Sequence, residues 1–270
     1  MTTSPQTRRP SPPPTGSKSA SRRPRGKRAQ AERLETARSY HGDTGDGGMM
    51  ILDTEGTVIA DIQPPIAHGI RELIARVYAS DKGELPKSIG VTSALSGEGV
   101  SFVANALGAV LAHDLERPVC IVDLNWWSPS ADRLQSDLGL ADALRGATDL
   151  KRALTETSDG NLFLLDGGFT TVSERPVLAS NADLGDVIVK LREDFEHVVL
   201  DLPAVLPVSE TRVLAAHADA YVMVVRHGAT ADVQTRSALD DLSHVRNLGV
   251  VLNRSDSRLP ARLLHLIAPW

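Results

Sequence analysis

Residues 90–101 read GVTSALSGEGVS, an apolar strand end that passes through a glycine-rich turn into a helix, and this stretch constrains the fold more than any other. The phosphate-binding loop pattern G-x-x-x-x-G-K-[ST] sets backbone N–H groups and a helix N-terminus around an anion. Here Ala94 stands at the first glycine, Gly99 at the second and Ser101 at the hydroxyl, while the lysine position is Val100. Gly97 and Gly99 supply the tight backbone path. The spacing predicts a strand–loop–helix unit that keeps its amide cradle and has lost the point charge aimed at terminal phosphates.

On either side, strand and helix patterns alternate. Strands are predicted over 88–92, 118–124, 161–165, 197–202, 220–226 and 249–253. Helices are predicted over 100–115, 132–144, 149–156, 182–194, 210–216 and 231–245. Several strand runs are continuous Val/Ile/Leu, as strands buried on both faces require. The pattern is α/β: a mostly parallel sheet flanked by helices. Ahead of it, residues 50–60 look like two short strands, and Pro64-Pro65 precede a helical stretch over 66–78.

The 270 residues are enough for one such domain and a tail. The formal net charge of −5 is unevenly placed: residues 1–31 hold eight Lys/Arg and no Asp/Glu, which leaves the rest at −13. An acidic body is unsuited to gripping nucleic acid over a broad face, so no specific nucleic-acid partner is expected. Residues 1–48 are rich in Pro, Ser, Arg and Gly and read as a disordered basic tail. A solubilising role and attachment to an anionic membrane or partner are both open to it. The α/β domain is expected over 49–258 and a separate C-terminal segment over 259–270. Cys120, the single cysteine, lies in an apolar run and reads as a buried structural thiol. No apolar stretch reaches membrane-spanning length and the N-terminus lacks a signal-peptide apolar region. A cytoplasmic location is expected, peripheral to the inner face of the membrane through the tail or a partner.

Two acids end predicted strands: Asp123 in Ile121-Val122-Asp123 and Asp201 in Val198-Val199-Leu200-Asp201. Carboxylates at strand C-termini beside a phosphate loop hold Mg²⁺ or its waters and position an attacking group. Ser101, Asp123 and Asp201 form the candidate Mg²⁺ set. Gly97, Glu98, Gly99, Val100 and Ser101 form the candidate nucleotide loop.

These motifs resemble the cytoplasmic domains of bacterial tyrosine kinases that partner or fuse to polysaccharide co-polymerases, the Wzc, CapB and CpsD group within the MinD/ParA-like P-loop class. The resemblance runs over about 64–254. The family loop reads like TSxxPGEGKS, against TSALSGEGVS here. Its second motif reads like IDxDxRxPS, against VDLNWWSPS. Its third reads like IIDTPPVLPVSDA, against VLDLPAVLPVSET. The family's ADGVLLVVRxGxT compares with ADAYVMVVRHGAT, and its GVVLNR stands unaltered at 249–254.

The departures fall on chemistry. Val100 replaces the lysine and Asn125 the second carboxylate, which makes Asp123 and Asp201 vestigial catalytic residues on this reading. Trp126-Trp127-Ser128 replaces a stretch that is usually Leu-Arg-Arg. Of the helix motif E-x-x-R-x-x-R, used for ring assembly, only Arg71 is kept. The C-terminal tyrosine cluster is absent, since the only tyrosines are Tyr40, Tyr78 and Tyr221. Asn253 and Arg254 match the family's base-contacting positions, so the resemblance allows weak binding of ATP or ADP with Mg²⁺, and equally none.

Other residues read as structural or remain open. For Trp126 and Trp127, ordinary packing stands beside partner docking or partial filling of the nucleotide site. His113, His197, His217, His227 and His244 lack metal-ligand spacing and read as surface or strand-edge residues. Tyr221 reads as core. Residues 263–270 suggest either a short docking helix or a packed one.

Three functions compete. The chain is expected to be a catalytically inactive kinase homologue, a pseudokinase or pseudo-ATPase. It would regulate or scaffold exopolysaccharide or capsule synthesis and export through a membrane co-polymerase, and homo-oligomers are compatible with this reading. The alternatives are an active ATP-dependent tyrosine kinase or ATPase with a cation relocated to Lys87, Arg212 or Arg226 or supplied by an arginine of another subunit, and a MinD/ParA-like positioning factor.

Overall fold

The computed structural model describes Met1 and residues 48–53, 58–80, 83–127 and 138–254. Expectations for the basic tail, for Tyr40 and Ser128, for the first part of the helix over 132–144 and for the segment after 254 lie outside the described residues. Strands β1 (Met49–Leu52) and β2 (Val58–Ile62) pair antiparallel and lead into α1 (Pro64–Ser80). Then follow β3 (Ser88–Ser93), α2 (Val100–Leu115) and β4 (Val119–Asp123). The next elements are α3 (Leu140–Leu144), α4 (Leu150–Ala153), β5 (Leu154–Glu156) and β6 (Leu162–Leu165). The chain continues through α5 (Arg175–Ala179), α6 (Ala182–Asp194), β7 (His197–Asp201) and α7 (Thr211–Ala215). It closes with β8 (Ala220–Arg226), α8 (Asp232–Asp241) and β9 (Arg246–Asn253).

Seven strands form one sheet in the order β5-β6-β4-β7-β3-β8-β9, parallel except for β5. Alternate side chains of each central strand feed two apolar layers. Ile89, Val91, Val119, Ile121, Val199, Val222 and Val224 pack with α1, α2 and the β1–β2 ribbon. Cys120, Val122, Val198, Leu200, Tyr221 and Met223 pack with α6, α7 and α8. Strands covered on both faces need no polar alternation, which is why they read as uninterrupted apolar runs. Cys120 is fully buried, and burial pushes its thiol pKa up, as a structural thiol requires. Tyr221 is core, with its hydroxyl 3.3 Å from Asn247 Nδ2.

Three sequence expectations are corrected. The helix expected over 149–156 is one turn, α4, followed by β5, which runs antiparallel to β6. Ser158, Asp159 and Gly160 close that hairpin, and the Gly160 N–H donates to Thr157 O at 3.1 Å. The helix expected over 231–245 stops at Asp241, and β9 begins at Arg246 rather than 249, with an irregularity in its pairing with β8 between Tyr221 and Val222. His197 is not a surface residue. It is 5 % exposed at the start of β7, with Nδ1 2.9 Å from Pro86 O, because that edge is covered by the segment entering β3. His113, His227 and His244 are exposed and His217 is half-buried.

Candidate functional site

The site lies at the carboxyl edge of the sheet, where ligands of open α/β sheets bind. β3 is central, flanked by β7 and β8, so the loop leaving it over 94–99 emerges beside the ends of both neighbours. The chain leaving β7 continues along this loop. Val205 N–H donates to Ser93 O at 2.8 Å, Leu206 N–H to Ala94 O at 3.2 Å, and the Thr92 hydroxyl to Pro203 O at 2.7 Å. Gly97 and Gly99 both have positive φ, 83° and 94°, and the second opens directly into α2. The loop therefore delivers its backbone to a long helix N-terminus in the manner of an anion cradle.

The structure brings most of the predicted residues together. Asp123 and Asp201 are register partners at the ends of adjacent strands, and both are buried. Asn125 N–H donates to Asp123 Oδ1 at 2.8 Å. Beside the loop is a cavity of about 160 Å³. Among the described residues, Ser93, Ser96, Ser101 and Asn125 line its polar side, while Val100, Trp127 and Val208 are among its apolar walls, and none of these described lining residues is charged. Val100 is 7 % exposed and belongs to the apolar layer beneath α2.

The two tryptophans separate in role. Trp126 is core, 2 % exposed, with its indole N–H donating to Gly167 O at 2.8 Å. Trp127 is half-buried and lines the cavity. Asn253 is placed at the back of the loop, its Nδ2 donating to Glu98 O at 2.8 Å, and Arg254 is exposed just past β9 with φ 56°. Glu98 is 2 % exposed and points toward the end of β8. Its carboxylate accepts from Leu95 N–H at 2.9 Å, from Arg226 N–H at 3.1 Å and from the Thr230 hydroxyl.

None of the candidate relocated cations lines the cavity. Lys87 lies at the opposite end of β3, donating to Phe195 O at 3.0 Å and 3.8 Å from Glu196. Arg212 pairs with Asp241 at 2.6 Å. Arg226 meets Glu98 through its backbone, and its side chain does not line the cavity. Arg71 forms a bidentate pair with Asp114 of α2, both bonds 2.8 Å, so the one kept residue of the ring motif is tied within the chain.

Sequence reasoning missed Gly167 and Thr230. A Cβ on Gly167 would stand 3.0 Å from both Asp123 Oδ2 and Trp126 Nε1, so any larger residue after β6 would press on the acid and the indole. The signal was legible as DGG after an apolar run, at the edge that holds the site. A Mg²⁺–nucleotide fits these residues only in part. The amide cradle, Ser101 and two neighbouring acids suit phosphate and metal, but the lysine position is apolar. The cavity is also below the roughly 300–1,000 Å³ of ordinary ligand sites.

This chain is similar to known proteins in both sequence and fold. It is 31% identical over 121 residues to the tyrosine-protein kinase CpsD of Streptococcus pneumoniae serotype 4, covering 44% of this chain and 52% of that protein. It is 29% identical over 182 residues to the succinoglycan biosynthesis transport protein ExoP of Rhizobium meliloti, covering 64% of this chain and 23% of that protein. Its homologues are bacterial tyrosine kinases. The chain thus spans about half the length of one curated relative and about a quarter of the other. No protein-family model matches. The kinase domain of Escherichia coli tyrosine kinase ETK superposes with a TM-score of 0.64 at 19% identity, covering 74% of this chain and 80% of that one. The septum site-determining protein MinD of Pyrococcus horikoshii, complexed with Mg-ADP, superposes at 0.53 with 21% identity, covering 66% and 76%. The fold is that of MinD-like P-loop NTPases. Among the described residues no helix is long and apolar enough to cross a membrane.

Proposed function

We propose that this chain is a catalytically inactive homologue of the capsule and exopolysaccharide tyrosine kinases. It regulates or scaffolds polysaccharide synthesis and export through a membrane co-polymerase, at the cytoplasmic face. The printed role of ExoP, succinoglycan biosynthesis transport, supports the polysaccharide setting. One observation carries the inactivity: the side chain at the lysine position is the buried apolar Val100, and no charged side chain among the described residues lines the cavity beside it. Phosphoryl transfer depends on charge placed where negative charge develops, and removing one such donor costs roughly 3–4 kcal/mol of transition-state stabilisation. Asn125, standing where the kinases carry a second carboxylate, deepens that loss.

The test is turnover. Purified full chain with Mg²⁺ and γ-labelled ATP is expected to release or transfer no more phosphate than its Asp201→Ala variant. Turnover that this substitution abolishes would overturn the reading. The eight basic residues within 1–31 supply the attachment to anionic lipid on this view. Co-sedimentation with phosphatidylglycerol vesicles is expected at low salt and lost when those eight are changed to serine; binding unchanged by that replacement would remove the tail from the account.

A further inference from the structure

Among the described residues that line the cavity, Trp127 has the largest side chain. It enters from the exit of β4, while Gly97, Gly99, Val100 and Ser101 bring the glycine-rich loop and the first turn of α2 to the same space. An indole and the backbone of a phosphate cradle thus border one cavity of about 160 Å³. The ring is held there from behind. Trp127 packs against the apolar layer that holds Trp126, and the two rings lie with centroids 6.5 Å apart and planes tilted by 51°. Trp126 is itself fixed, buried in the core with its indole N–H on Gly167 O. An indole turns about two bonds only, so with its body packed it cannot fold aside as a long flexible side chain can. In the pattern IDxDxRxPS that VDLNWWSPS resembles, Trp127 falls at the arginine. A flexible side chain has given way to a rigid one beside the cradle.

We propose that Trp127 is a built-in plug of this site: its indole takes up the room in which the outer phosphates of a nucleoside triphosphate would lie against the loop. Trp126 is the positioning residue beneath it. The inference rests on the inactive-site reading above and deepens it. Loss of the lysine removes a favourable charge, whereas a ring in the cavity removes space, and these are different effects. The first depends on what stands at position 100. The second depends on the size of the side chain at position 127, because atoms pressed into occupied space force their neighbours out of place. A ligand that reached the loop would have to lift the indole from Trp126 and from the apolar layer, giving up packing that the empty site keeps. Restoring the cation alone is therefore not enough to restore the nucleotide site.

Calorimetric titration of ATP with Mg²⁺ into a size series of the full chain tests this. Val100→Lys, which returns the cation and keeps the ring, is expected to bind ATP weakly. Adding Trp127→Phe and, in a separate protein, Trp127→Ala is expected to tighten binding in step with the room made. Val100→Lys with Trp127→Ala should bind at least about tenfold more tightly than Val100→Lys alone. Affinity that is flat along the series overturns the proposal. Affinity that is highest with the indole kept also overturns it, and makes Trp127 a stacking platform instead. Thermal melting of each protein shows which are folded. Trp127→Phe keeps an aromatic body against Trp126, so it reads the same direction where Trp127→Ala does not fold. Should Val100→Lys itself not fold, Trp127→Phe in the otherwise unaltered chain is compared with the parent: tighter ATP binding is expected, and equal affinity overturns the plug. The two readings fail separately: turnover by the unaltered chain sinks the inactivity, whereas a flat series in folded proteins without turnover sinks only the role of Trp127.

Discussion

At the scale of single residues, the site is a loop held from behind. Gly99 is the tightest point: its φ of 94° is left-handed, and an added Cβ would stand 2.1 Å from Asn253 Nδ2. Gly97 has a similar φ, 83°, but a Cβ there would meet nothing within 4 Å. The pair separates backbone strain from contact. Gly97→Ala is expected to cost about 1–2 kcal/mol, the strain of a non-glycine residue at positive φ alone. Gly99→Ala is expected to cost about 2 kcal/mol more, because it also displaces Asn253 from Glu98 O. Urea unfolding of both variants and of Gly99→Ala with Asn253→Ala reads the difference. The added asparagine truncation should make the Gly99→Ala step resemble Gly97→Ala, and equal losses for the two single variants would contradict this. The spacing of the loop glycines was visible in the sequence. The partner that makes one of them stricter than the other lies 154 positions away, on the last strand, and local pattern carries no signal for it.

Among the elements, α2 is the one that fixes the loop to the sheet. It is apolar on nearly every side, because it lies between the sheet, α1 and the β1–β2 ribbon. Gly108 marks its closest approach: a Cβ there would stand 2.5 Å from Ile121 Cγ1 and 2.6 Å from Cδ1. Ile121 is on β4, whose end carries Asp123, so the spacing of helix and strand sets where the acid stands relative to the loop. Gly108→Val is expected to destabilise by about 3 kcal/mol through overpacking, and thermal melting should show it; a melting temperature within a degree of the parent would contradict the close packing. The helix itself was legible from its apolar run and loop entry, and β4, β7 and β8 from theirs. β5 was not, because Leu154–Glu156 is three residues long and its strand character comes from pairing with β6. Helix periodicity over 149–156 is a local property, and the hairpin closed at Gly160 overrode it.

On the scale of the whole molecule, the two edges of the sheet do different work. The carboxyl edge holds the loop, Asp123, Asp201 and the cavity. The opposite edge holds His197 at the start of β7 and His217 just before β8, and neither pattern in the sequence distinguished these from surface histidines. Burial lowers the pKa of both in the folded protein. For His197 the Pro86 carbonyl and Glu196 pull the other way and Lys87 adds to the lowering, but desolvation is the largest cause. The sign follows from linkage. Above about pH 6.5, the ordinary value for histidine, both folded and unfolded states are neutral at these positions and the full stability is present. As the pH falls through that value toward the lowered folded-state pKa, the unfolded chain takes up protons that the folded chain refuses, so stability is lost. Urea unfolding compared at about pH 7.5 and about pH 5.5 should show the decline in the parent, above the range where exposed carboxylates titrate. In a His197→Gln, His217→Gln double variant, which keeps a donor for Pro86 O, the decline should flatten. Since these groups lie across the sheet from the loop, ligand affinity measured on the folded fraction should change little between the same two pH values through them. A parent whose stability is unaltered across that interval, or a double variant with the same slope, would show that the buried histidines do not set its response to acid.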